Sequence, residues 1–152
     1  MSMNSFFYIY NNEALVSLVI TRLLREVTDI DLARAAVIVS VLLNDLSIDT
    51  LNSANYKTMK QFLKGTTGNL LKYNGYYYAM LPILINSLKI IVDLGFASFN
   101  KEKFYLNRDI PYPNPNSLGS RYSEICRAIP LFMSLANKYP TEKLYELFRI
   151  RL

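Results

Sequence analysis

The chain reads as mainly α with one β-hairpin, a winged-helix-like domain with a C-terminal helical extension. Three observations predict this. A nearly all-apolar segment, Ala79-Met-Leu-Pro-Ile-Leu-Ile-Asn-Ser-Leu-Lys-Ile-Ile-Val-Asp-Leu94, ends at Gly95. A helix hydrophobic nearly all round is a buried one. Pro82 is tolerated in a first turn, which places the start near residues 78–81. Gly95 suits the left-handed position just past a helix end. The second observation is the alternating stretch that follows, with Phe96 and Phe99 on one arm, Phe104 and Leu106 on the other, and Asn100-Lys101-Glu102-Lys103 as a polar turn. A buried helix leading straight into a basic-tipped hairpin is the winged-helix pattern. The third is that helical periodicity resumes after a proline-rich linker.

The elements follow in order. Residues 1–12 form an aromatic leader, Phe6-Phe-Tyr-Ile-Tyr10, too short to fold alone. Asn11 or Asn12 caps a first helix over 13–27, in which Val16, Val19, Leu23 and Val27 recur at helical spacing. Thr28, with Asp31 three residues on, starts a second helix reaching about residue 46. Ser53 caps a third, with Gly65 as its stop. Asn74-Gly75 signals a turn ahead of the buried helix. The winged-helix-like core thus spans 13–106. Residues 107–119 hold Pro111, Pro113 and Pro115 and read as an irregular linker. Residues 120–152 are C-terminal helices: a long one that Pro130 should kink or split, and a short one beginning at Pro140-Thr-Glu142.

Composition narrows the options. With 152 residues, 51% of them hydrophobic, one domain with a real core is expected rather than global disorder. The net charge of +5 permits contact with nucleic acid or an acidic partner. It is uneven: from Thr50 through Val92 there is no acid, against lysines 57, 60, 64, 72 and 89. The one cysteine, Cys126, cannot form an internal disulfide and fits a reducing, cytoplasmic setting. No Lys or Arg precedes Arg22, unlike a signal peptide. The longest strongly apolar run, 35–43, is too short to span a membrane.

Enzymology is poorly supplied. Histidine is absent, which excludes His-based triads and His metal sites. Neither phosphate-loop nor dinucleotide glycine pattern occurs. Asp29-x-Asp31 reads as helix capping, Cys126 as a buried structural thiol, and Glu142 with Glu146 as a solvated face. No catalytic, cofactor or metal residue is assigned. Two charged features stand out: Lys57, Lys60 and Lys64, sharing one helix face at i, i+3, i+7, and the hairpin tip with Lys101, Lys103 and nearby Arg108. Both are candidates for nucleic acid or an acidic partner, and both also suit an ordinary solvated surface. The aromatic residues Phe6, Phe7, Tyr8, Tyr76, Tyr77 and Tyr112 are candidates for a protein interface, with core packing as the alternative. The helix before the hairpin offers Asn86, Ser87, Lys89 and Asp93 among isoleucines and leucines, a poor reader of base edges.

The opening Asn4-Ser-Phe-Phe-Tyr-Ile-Tyr-Asn-Asn-Glu-Ala-Leu15 and the close Arg127-Ala-Ile-Pro-Leu-Phe-Met-Ser-Leu-Ala-Asn-Lys-Tyr-Pro-Thr-Glu-Lys-Leu-Tyr-Glu-Leu-Phe148 resemble the small middle components of bacterial three-component ABC defence systems, including the small subunit of Lamassu systems. The resemblance implies a non-enzymatic subunit joining an SMC-like coiled-coil ATPase to an effector nuclease in anti-phage or anti-plasmid defence. It carries no catalytic residue and no cofactor. The alternative is a stand-alone winged-helix DNA-binding transcriptional regulator.

Overall fold

In a computed structural model, residues 12–109 and 111–152 are described, and they are mainly helical with a small three-stranded antiparallel sheet. Residues 1–11 of the leader, with Phe6, Phe7 and Tyr8, lie outside the described residues.

Helix α1 spans Glu13–Leu23. Asn12 caps it, its side chain accepting from the Leu15 amide at 3.0 Å. Val16, Val19, Ile20 and Leu23 are fully buried. The helix stops short of residue 27 because Glu26 folds back, donating its amide to the Leu23 carbonyl at 2.9 Å. Strand β1, Ile30–Asp31, was not anticipated. Two residues carry no periodicity, so only their partner strand reveals them. Helix α2, Leu32–Leu42, is capped by Asp31 rather than Thr28: the Asp31 carboxylate accepts from the Arg34 amide at 2.7 Å.

Helix α2 is buried from Ala35 through Leu42. It packs on α1 and on the later helices. It is the helix hydrophobic all round that the sequence reading placed at 79–94. Its one polar interior group, the Ser40 hydroxyl, donates to the Val37 carbonyl at 2.9 Å.

Residues 47–52, expected as a connector, are helical, and the third helix starts at Met59 rather than after a Ser53 cap. Helix α3 spans Asp45–Ser53, with Asn44 as cap and Ser53 at its end. Helix α4 spans Met59–Gly65 and opens with a capping box of Thr58 and Gln61. Gly65 closes α4 for want of space: an added Cβ would stand 2.9 Å from both the Thr50 methyl and the Tyr56 hydroxyl.

Helix α5 runs over Tyr73–Asp93, so Asn74 and Gly75 are helical and Pro82 is interior. Asn74 is held there because its side chain accepts from the Arg151 amide at 2.8 Å. Pro82 is on the exposed side, where water can satisfy the carbonyl it frees. By length and composition α5 could cross a membrane, with a mean hydropathy of 1.3 over its apolar window. Here it packs along α1 and α2, as a core helix does.

Strands β2, Ala97–Asn100, and β3, Lys103–Leu106, form the expected hairpin. Lys101 and Glu102 both have positive φ, 49° and 63°, as a two-residue hairpin turn of this hand demands. The sheet order is β1-β3-β2, with Ile30 opposite Phe104. The linker contains one short 3-10 turn, Pro115–Leu118. Helix α6, Ser120–Ala136, passes through Pro130 without splitting, again with the proline exposed. Helix α7, Thr141–Leu147, follows Pro140 without a side-chain cap.

Candidate functional site

The C-terminal end of α5 makes the most distinctive surface. Gly95 (φ 75°) reverses the chain: its amide donates to the Val92 carbonyl at 3.0 Å, and the Phe96 amide to the Ile91 carbonyl at 2.8 Å. The returning strand is tied to the same place. The Asn107 amide donates to the Phe96 carbonyl at 2.8 Å, and its side chain to the Gly95 carbonyl at 3.1 Å. The hairpin root, α1, the end of α5 and the linker then enclose a cleft of about 460 Å³. Its walls are chiefly apolar, from Leu18, Ile90, Leu94, Phe96, Leu106 and Pro111. Arg25 stands at its edge with its guanidinium 4.9 Å from the centre of the Tyr112 ring. A cleft of this size and lining suits an apolar group.

The outer side of α5 is exposed, with Tyr78 (48%) and Ile85 (51%) on one flank and the cleft-lining Ile90 (39%) and Leu94 (64%) on the other, so the expectation of a rod buried all round is corrected. The polar residues of that side are already engaged. Asn86 donates to the Glu13 carboxylate at 3.3 Å, and Lys89 pairs with Asp93. The Ser87 hydroxyl faces inward and donates to the Glu13 carbonyl at 3.2 Å.

The remaining candidates fall in several places. Lys57, Lys60 and Lys64 are exposed, but Lys57 precedes the Thr58 cap and is not on the α4 face that carries the other two. Lys101 is exposed at the hairpin tip and Arg108 just beyond β3. Lys103 is engaged by Asp29 at 2.7 Å, and that hydrogen bond raises its pKa. Tyr77 is core, at 5% exposure, with its hydroxyl 3.1 Å from that of Tyr145, so its assignment to an interface is corrected. Tyr76 is half-buried. Tyr112 folds back on the domain, its hydroxyl 3.8 Å from the Cys126 sulfur. Burial pushes the Cys126 thiol up, and Tyr112 and Arg22 only partly offset it. A thiol held protonated is a poor nucleophile. Asp31 is committed to its cap and Asp29 to Lys103. Among the described residues no group of acids and cysteine could hold a metal ion.

Sequence reasoning missed the cleft. It is assembled from α1, the end of α5 and the linker, which are adjacent only in space. The one available signal was the excess of apolar residues in α5 over what one buried face needs.

No protein-family model, no curated protein and no solved structure matches this chain.

Proposed function

We propose that the chain is a cytoplasmic, non-catalytic accessory subunit that bridges an SMC-like ABC ATPase and an effector nuclease in an anti-phage or anti-plasmid defence complex. One observation carries the reading: Ile90 and Leu94, both exposed, open into an apolar cleft walled by Leu18, Phe96, Leu106 and Pro111. A contiguous apolar surface of this kind marks protein docking. A sheet ordered β1-β3-β2 behind a helix that feeds the hairpin supports a winged-helix-like geometry for the platform. The regulator alternative is weaker, because the outer side of α5 has few free polar groups for base edges.

The test is whether the neighbouring genes encode a coiled-coil ABC ATPase and a nuclease, and co-expression of the chain with those products. The chain is expected to co-purify with them, and the double variant Ile90→Glu with Leu94→Glu to drop out while melting near the unmodified temperature. A chain that elutes alone beside both proteins overturns the reading.

A further inference from the structure

We infer that the lysines around α4 form a landing surface for the phosphate backbone of duplex DNA, one that reads no sequence. This surface is separate from the cleft, and the inference does not depend on the accessory-subunit reading.

Lys57 stands in the stretch before the Thr58 cap, and Lys60 and Lys64 lie one turn apart on α4, all exposed. A turn of helix separates them by about 6 Å along the axis. The fourth cation comes from far away in sequence. The Lys138 ammonium donates to the Lys57 carbonyl at 3.3 Å, across 81 residues. Arg127 is exposed three turns earlier on α6, and exposed Glu124 bounds that side. Among the described residues, the ion pairs engage Arg22, Lys89, Lys103, Arg121 and Lys143, and none of these four lysines.

The character of the neighbours selects the partner. A protein interface is built on a desolvated apolar or aromatic anchor. Single-stranded nucleic acid is held on stacking aromatic faces. Here Met59 and Phe62 are buried, and the Tyr56 ring is turned edge-on to Phe62 at 6.1 Å. Gln61 is spent in the capping box. What faces outward is flexible point charge, which suits a regular array of phosphates bound through counterion release.

The experiment titrates the full chain into a fluorescent random-sequence duplex over a range of salt. Four phosphate contacts predict a slope of log K against log salt of about −3 to −4. Each single change, Lys57→Gln, Lys60→Gln, Lys64→Gln or Lys138→Gln, should flatten that slope by about 1. Circular dichroism melting checks that each variant folds, and the single variants carry the test if the quadruple one does not. Tighter binding to single strands than to duplex overturns the inference, as does binding that is salt-independent or unaltered in all four variants. So does failure of the unmodified chain to bind duplex at low salt.

Discussion

The two ends of α5 solve opposite problems with the same kinds of residue. At its start, Tyr73 joins Phe62, Phe132 and Phe148 in an aromatic knot in which every ring is fully buried. The rings meet edge to face, with Tyr73 and Phe148 centroids 5.2 Å apart. At its other end, Leu94 is 64% exposed and neighbouring Phe99 55%. The difference lies in what arrives from elsewhere. The chain after α7 returns to the start of α5, where the Tyr78 hydroxyl donates to the Arg151 carbonyl at 2.6 Å. At the far end the hairpin and linker arrive edge-on and leave a cleft. Stability therefore concentrates at one end of the helix and unspent apolar surface at the other.

The sharpest way to test that division is to empty each end. Phe148→Ala should cost about 3–5 kcal/mol, since a fully buried ring in contact with three others leaves a cavity that cannot collapse easily. Leu94→Ala, by contrast, should fall within about 0.5 kcal/mol of the unmodified chain, as surface changes do. Urea unfolding of both variants measures the contrast, and similar losses would erase it. A smaller effect follows from the knot's one polar handle. The Tyr73 hydroxyl lies 2.5 Å from Ser47 Oγ, which is itself 3.2 Å from the Asn44 side chain. Burial raises the Tyr73 pKa, so the phenol stays protonated and able to donate. Tyr73→Phe should cost about 1–2 kcal/mol by taking a partner from the buried Ser47 hydroxyl. A neutral result would mean that water replaces the phenol.

This division also sets how much could be read from residue types. Asn12 as a cap, Gly95 as a reversal and the hairpin over 97–106 are local features, and each is where its chemistry places it. Asn74-Gly75 misleads because its turn preference, worth little by itself, is overridden by the Arg151 amide bound to Asn74. The β-branched run in α2 and the apolar run in α5 look alike in sequence. Only the number of helices packed around each decides which is enclosed. The lysines were legible as charge, but Lys138 joins Lys57 through a contact that no local pattern encodes. The cleft has the same origin, since its walls come from four separated segments.

The mildest test uses the caps that close the two ends. After α7, the Ile150 amide donates to the Tyr145 carbonyl at 2.9 Å and the Arg149 amide to the Glu146 carbonyl at 3.1 Å, the same bonding that Gly95 and Phe96 make after α5. Arg149 holds the left-handed position with φ 54°, where Gly95 has 75°. A side chain in that conformation is disfavoured by about 1–2 kcal/mol, and glycine returns part of the gain as unfolded-chain entropy. Arg149→Gly is therefore expected to stabilise the fold by about 0.5–1 kcal/mol. Gly95→Ala is expected to destabilise it by about 1 kcal/mol through strain alone, because the added Cβ would meet nothing within 4 Å. Paired melts should show opposite signs. A loss in Arg149→Gly would mean that the arginine side chain holds the sealed end shut, and that closure there depends on more than the aromatic knot.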